Sequence, residues 1–504
     1  MPDLKKCREV LICTFLFGLA AHGYCYFNEF LNHDSLNAMN YATDLTHQVA
    51  IGRYLRPLYC AVRGNLTLPA VNGFLTLFFL GLSIFVMLEL LDLRNRGFRI
   101  LGCGIMTVNF SVSLLNASYL HDADCYMFAL LLAVLGVWLT ENRKWGKWAA
   151  LILYFLSLGL YQAYIQAAVM LFLVLTVRDL LNGESIAGVF KALVRRLLPA
   201  AAAMVLYYLV YLAVLRFGSA AQSADYNSAA SIELSLHAVL QRVYHTFYAS
   251  VRTFLKPSGH APAAAAAANM ICLASSALIM IRLVRARALS AGKTAVLIFL
   301  LLLMPFGMNC VCLLSDVYHE LTVFSCFISY LFVMMLAETA NTVPDLPSGK
   351  NLPAWLIAGT CAVLIFDGCL YSNELYMKKE LESKATLSVM TRVIDRMEQT
   401  EGYVLGETPV VLIGSLYETD ISMQKDCFDY SSAGLWNSYS VSNYSTYMRY
   451  FDTYLGYPVN LLGADSAREF ARLQEVQEMP SFPSSGCCAM VNGTIVVKLS
   501  EYGG

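Results

Sequence analysis

Nine apolar runs lie near residues 10–28, 69–91, 99–118, 123–140, 197–217, 264–284, 294–314, 321–338 and 354–372. Each approaches the roughly 20 residues that an α-helix needs to cross bilayer hydrocarbon. A further stretch, 148–180, is too long for one crossing and divides near Tyr161-Gln162. About eleven spans are therefore expected. Bilayer hydrocarbon offers no water to backbone groups, so a chain built this way crosses as helices. The expected fold is an all-α polytopic membrane protein. Composition agrees: 14% of the 504 residues are charged, against about 25% in a soluble globular chain. The net charge of -1 gives no field that would draw nucleic acid. Fifteen cysteines do not form a scaffold. Cys272, Cys310 and Cys361 stand in apolar runs, where cysteine behaves as a small hydrophobe. Cys487-Cys488 match no zinc spacing.

Loop charges give an orientation, because Lys and Arg collect on the cytoplasmic side. Lys5, Lys6 and Arg8 precede the first run, which resembles a signal peptide but lacks a clear small-x-small cleavage site, so a retained first helix is expected. Alternate loops then carry Arg94, Arg96 and Arg99; Arg143, Lys144 and Lys147; Arg178, Lys191, Arg195 and Arg196; and Arg282, Arg285 and Arg287. The intervening loops, including "SYLHDAD" and "SDVYHE", are poorer in both. The alternation requires the division at 161–162. It places the first loop, 28–70, and the C-terminal tail outside the cytoplasm.

Residues 1–372 form the expected membrane domain. Within it, 237–256 repeats apolar residues at helical spacing (Leu240, Val243, Tyr244, Phe247, Val251, Phe254) among Arg242, His245, Arg252 and Lys256. This reads as an amphipathic helix on the outer leaflet or as a helix packed on the spans. Residues 373–504 are polar enough to fold in water. Leu381, Leu387, Met390, Ile394 and Met397 suggest a helix with one apolar face. "PVVLIGS" reads as a buried strand, and "CAMVNGTIVVKL" as a hairpin about Asn492-Gly493. A small extracytoplasmic α/β domain is expected there.

The first loop holds the densest ionisable groups. It is long for a connector, and long loops are often functional. It contains Asp34 and Asp44, with Arg53 and Arg56 three residues apart and so on one face if helical. Two guanidiniums on one face can clamp a phosphate, and a carboxylate at a membrane surface can serve as a general base. Asp122 and Asp124 are expected in an outer loop just before a span. His33, His121 and Tyr54 stand beside these groups as candidate substrate contacts. Singly, each acid reads equally as a solvated loop charge or a cap; together, acids and arginines beside spans on one side point to a site. Asp316, His319 and Glu320 make a less specific acidic turn, and Asp367 lies near the outer end of the last span. No Walker loop, GxGxxG, HExxH or GxSxG occurs. The D-x-D at 122–124 faces outward, where nucleotide sugars are not expected.

"GRYLRPLY" followed by "RGNLTLPAVNGFLTLFFLGLS" resembles the first-loop and second-span signature of bacterial GtrII-type glucosyltransferases. "LSLGLYQAYIQAA" resembles the family's middle spans, and "NELYMKKELESKATLSVMTRVIDRME", "PVVLIGS" and "NGTIVVKLS" the tail of its Gram-positive members. The resemblance implies a GT-C-class hexosyltransferase in the cell membrane. Its donor is a polyprenyl (undecaprenyl) phosphate sugar, and its acceptor a cell-surface glycan or lipid-linked acceptor on the outer face. In that scheme Arg53 and Arg56 hold the donor phosphate and Asp34 takes the acceptor's proton. Asp44, Asp122 or Asp124 favour the oxocarbenium-like transition state, and one displacement inverts the anomeric centre. The resemblance implies neither cofactor nor obligatory metal, because polyprenyl phosphate leaves as a stable anion. Many members carry an Asp-Asp pair early in the first loop; here the position reads His33-Asp34-Ser35, one acid where two are expected. Two other readings are a transporter or flippase of lipid-linked glycans, which needs polar groups near the midplane and often repeated halves, and a membrane assembly protein whose tail binds partners.

Overall fold

The computed structural model describes residues 3–28, 30–31, 33–39, 41–217, 235–313, 320–341, 352–416, 441 and 444–501, without the side chains of 33, 37, 41–45 and 320. In chain order the first helices are α1 (Leu4–Phe27), α2 (His33–Ala38), α3 (Tyr41–Ala50), α4 (Arg56–Arg63), α5 (Pro69–Leu90), α6 (Arg96–Thr107) and α7 (Phe110–Asn142). Next come α8 (Gly146–Leu160), α9 (Ile165–Leu181), α10 (Ile186–Phe217), α11 (Leu236–Leu255), α12 (Pro262–Ala286), α13 (Ala291–Met308), α14 (Ile328–Asn341) and α15 (Leu352–Glu398). Strand β1 (Pro409–Ile413) precedes α16 (Tyr444–Arg449), β2 (Asn460–Leu461), α17 (Ala464–Ala471), α18 (Gln474–Glu478), β3 (Cys488–Val491) and β4 (Thr494–Lys498). The chain divides into two compact units. One comprises Met1–Phe27, Leu45–Gly64 and Leu68–Asn373; the other comprises Asn28–Asp44, Asn65–Thr67 and Glu374–Gly504.

The first unit is helical. Among the described residues, nine helices are long and apolar enough to cross a membrane, and α8 is a shorter apolar helix. The expected division of 148–180 falls where anticipated: α8 ends at an extended Tyr161 (φ -159, ψ 114), and a 3-10 turn over Gln162–Tyr164 leads into α9. The runs 99–118 and 123–140 do not form two similar spans. The break comes earlier, at Val108-Asn109, where the Asn109 side chain caps α7 by accepting from Val112 N at 3.2 Å. The segment "SYLHDAD", expected as a loop, is instead helical within α7, which kinks at Tyr119 (φ -132, ψ 38).

One end of this unit gathers the basic loops. Lys6 Nζ pairs with Glu89 at 3.2 Å, and Arg96 and Arg99 both reach Glu9. Arg94 and Asn95 amides donate to Glu338. Buried Arg196 on α10 binds Glu141 through Nε and Nη2 and reaches Asp179 at 2.6 Å, tying together α7, α9 and α10. Lys293 donates to the Gly183 carbonyl. The loops expected on one side thus share one end of the bundle.

Helix α11 runs where the apolar spacing places it. Its buried residues are small and mostly polar: Thr246, Ala249, Ser250 and Thr253. Ser250 Oγ donates to the Pro305 carbonyl at 2.8 Å and accepts from Asn309 Nδ2 at 2.9 Å. Its large apolar residues, including Leu240, Tyr244, Phe247 and Tyr248, are the exposed ones. The helix therefore packs on α12 and α13 by its polar side. The exposed apolar face suits hydrocarbon better than water.

The second unit is an α/β layer structure with sheet order β2-β1-β4-β3. β1 runs parallel to both β2 and β4, while β3 and β4 form the expected hairpin, with Asn492 (φ 49) and Gly493 (φ 76) turning it. Strand alternation divides the core. Val410, Ile495 and Val497 face Val389, Met390, Val393 and Met397 of α15, whereas Val411, Ile413 and Val496 face Val476. Leu31 and Leu36, from the segment before and on α2, belong to the first of these cores. The membrane-length helix does not stop near residue 372; α15 continues to Glu398 without a break.

Replacing Ser250 by Leu should overpack the α11 contact and strand the Pro305 carbonyl, costing about 1–3 kcal/mol, whereas Val243→Leu on the exposed face should stay within about 0.5 kcal/mol. Thermal unfolding in detergent measures both; equal melting temperatures would remove this face of α11 from the packing.

Candidate functional site

At the start of α5, far from the basic end, a second set of charges is buried. α5 carries Asn72 near one end and Glu89 near the other; at a rise of about 1.5 Å per residue they stand about 25 Å apart along it. Here α4 lies against α7. Arg56, Tyr59, Cys60 and Arg63 recur at three- and four-residue steps and so share one face of α4. Pro57 suits the first turn, where a missing N–H costs no bond.

Two carboxylates of α7 receive that face. Arg56 Nε donates to Asp122 Oδ1 at 2.7 Å, with both side chains 1% exposed. Asp124 accepts from Tyr59 Oη at 2.6 Å and from Asn72 Nδ2 at 3.0 Å, and pairs with Arg63 Nε at 3.0 Å. Arg63 also donates to the His121 carbonyl. His121 is buried, with Nε2 3.8 Å from Asp122 Oδ2. Burial and the adjoining Asp124 carboxylate push the Tyr59 phenol well above its usual range, so it remains a donor. Burial raises the Cys60 thiol to about 11.

Arg53 stands outside α4, in the turn after α3. Its Nη1 donates to Tyr126 Oη at 2.7 Å and reaches Gln48 Oε1 at 3.4 Å. Its guanidinium lies 4.6 Å from the centre of the Tyr161 ring, which itself stacks on Tyr126 at 4.0 Å. The expectation that Arg53 and Arg56 share a face of one helix is thus corrected: α4 begins at Arg56. They come together through their targets, because Asp122 and Tyr126 are four residues apart on α7. Arg53 is half-buried and Arg56 buried.

Asp122 and Asp124 are not loop residues before a span, as expected, but buried helical ones. Ion pairs make that burial tolerable, since an unpartnered carboxylate there would be expelled. Tyr54 is buried; its Oη donates to the Tyr207 carbonyl at 3.3 Å and its ring stacks on Tyr207 at 5.5 Å. Asp34, on α2, is half-buried and belongs to the second unit. The side chains of His33 and Asp44 lie outside the described residues, as do Asp316, His319 and the Glu320 side chain. Asp367 accepts from the Ala261 amide at 2.7 Å, just before α12. Among the described residues, no group of three His, Cys, Asp or Glu side chains stands where it could hold a metal. Arg63, Tyr59, Asn72, Tyr126 and Tyr161 were not singled out from sequence; the seven-residue step from Arg56 to Arg63 was the available signal for one of them.

Nine membrane-length helices among the described residues, with a buried cluster of arginines, carboxylates and phenols at the end of one bundle, mark a membrane protein with a polar site at that end. The family model described as Glucosyl transferase GtrII matches residues 23–336, well over half of the chain, and the chain belongs to that family. No significant match was found among curated proteins or among solved structures. The family makes the protein a membrane glycosyltransferase of the glucosyltransferase kind.

Asp122→Asn should leave Arg56 charged and buried without its carboxylate, at a cost of about 3–5 kcal/mol. The double variant Asp122→Asn/Arg56→Met should recover much of that loss. Thermal unfolding of the purified proteins measures both, and a double variant no better than the single one would show that the pair does not govern stability here.

Proposed function

We propose that this protein transfers a hexose, glucose by family, from a polyprenyl-phosphate carrier to a glycan or lipid-linked acceptor on the outer face of the cell membrane. What supports the reading, beyond family membership, is one observation: Arg53, Arg56 and Arg63 meet a single short stretch of α7 at the end of the bundle away from the basic loops. By the distribution of Lys and Arg, the basic end is cytoplasmic. A lipid-borne donor carries its phosphate at the membrane surface, where a guanidinium is the apt ligand.

Arg53 is the proposed phosphate ligand, because it is half-buried on the Tyr126 phenol and the Tyr161 ring, whereas Arg56 is buried against Asp122 at 1% exposure. Asp122 and Asp124 fix Arg56 and Arg63 and set the local field; their oxygens already accept bonds. The base is assigned to Asp34, on the chemistry of the residue and the family's early acid. In the step itself, the acceptor oxygen bonds to the anomeric carbon as the carbon–oxygen bond to phosphate breaks, and the hydroxyl proton passes to Asp34. Polyprenyl phosphate departs with the electron pair, and the anomeric centre inverts.

Purified full-length protein, incubated with a panel of undecaprenyl-phosphate sugars and a cell-surface glycan extract, should consume the glucose-bearing donor. Carrier moved across a vesicle membrane without loss of sugar would favour a transporter instead. Asp34→Asn should lower turnover at least about 100-fold with expression intact, and near-normal turnover would reject the base assignment. Arg53→Ala should raise the donor KM about tenfold or more and leave the acceptor KM nearly unchanged. Equal shifts in both would remove the phosphate contact.

A further inference from the structure

The turn that carries Arg53 is a helix terminus held from outside. α3 ends in a Schellman motif: the Arg53 amide donates to the Gln48 carbonyl at 2.8 Å and the Gly52 amide to the Val49 carbonyl at 3.0 Å. Gly52 has φ 87, the left-handed conformation such a cap needs. The motif satisfies Gln48 and Val49 but leaves the carbonyls of Ala50, Ile51 and Gly52 without helical partners. Each receives a side chain from the segment around α9 and α10. Tyr211 Oη donates to Ala50 O at 2.6 Å, Gln162 Nε2 to Ile51 O at 3.1 Å, and Tyr207 Oη to Gly52 O at 3.0 Å. Gln162 Nε2 also donates to Tyr207 Oη at 2.7 Å, linking two of the three donors.

The clamp is packed as well as bonded. The rings of Tyr54, Tyr207 and Tyr211 stack nearly parallel, Tyr54 on Tyr207 at 5.5 Å and Tyr207 on Tyr211 at 6.3 Å. A Cβ at Gly52 would run into the Tyr207 hydroxyl and stand 2.7 Å from Gln162 Nε2. On the far side of the turn, the Leu55 amide donates to the Gly159 carbonyl at 3.0 Å. The residue held between these anchors is Arg53, and a shift of about 1 Å in such a group is costly to binding.

We propose that Tyr207, Tyr211 and Gln162 are positioning residues that fix the Schellman turn and thereby set the affinity for a lipid-linked phosphate. The inference rests on the reading of Arg53 as the phosphate ligand. It assigns a role to the helix break at 161–162: Gln162 is free to reach Ile51 because α8 has ended at Tyr161.

The test is binding of radiolabelled undecaprenyl phosphate to the full-length protein in nanodiscs, with undecaprenol as the phosphate-free comparison. Tyr207→Phe keeps the ring and removes the hydroxyl. It should weaken binding of the phosphate about tenfold and leave undecaprenol binding unchanged. Arg53→Ala should do likewise, and Tyr207→Phe should add little in the Arg53→Ala background. Tyr211→Phe, which removes the bond to Ala50, supplies the same contrast should Tyr207→Phe express poorly. Unchanged phosphate binding in the tyrosine variants, with Arg53→Ala still defective, would overturn the clamp and leave the phosphate reading standing. Equal losses for phosphate and alcohol would mark the tyrosines as structural only and overturn it too. Normal binding by Arg53→Ala would overturn the phosphate reading and the clamp together.

Discussion

The pairing of Arg56 with Asp122, both 1% exposed, is the contact on which the site depends. Taking either charge alone into a low-dielectric bundle is prohibitive, and the two are stable there because each is the other's partner. The same requirement accounts for Arg63, Tyr59 and Asn72 converging on Asp124. A carboxylate has several lone-pair positions, and in hydrocarbon each must find a donor. The short helix α4 places Arg56, Tyr59 and Arg63 on one face, α5 adds Asn72, and α7 supplies the acids.

This arrangement separates two roles that a list of ionisable residues merges. Asp122, bonded to Arg56, and Asp124, bonded to Tyr59 and Asn72 and paired with Arg63, hold cations in place and are poor candidates for taking a proton from a substrate. Arg53 rests on a phenol and an aromatic face and is half-buried, whereas Arg56 is buried at 1% exposure against a carboxylate. Arg53 therefore differs from Arg56 by its surroundings and not by its type. The turn beneath Arg53 follows the same economy, with three helix-end carbonyls capped by side chains from elsewhere in the bundle.

Much of this was legible beforehand. The apolar runs marked the membrane helices, and the basic loops marked the ends that gather together. The break at Tyr161-Gln162 was required by charge alternation, and the hairpin about Asn492-Gly493 by turn chemistry. The α11 helix was visible by its spacing, but its orientation was not: hydrophobic periodicity identifies an apolar face without saying whether protein or lipid covers it. "SYLHDAD" misled for a related reason. Two acids and a histidine look like a loop until Arg56 and Arg63, from a distant part of the chain, neutralise the acids. Arg53 and Arg56 looked like one helical face because the helix start could not be read past Gly52.

Sequence by itself determined that this chain carries membrane-length apolar helices and that a small α/β unit follows, because hydrocarbon length and strand periodicity are local rules. Only the tertiary structure decided which charges meet. The partners of Asp122, Asp124 and Arg53 lie on other helices, and no local pattern specifies a contact between segments so far apart in the chain.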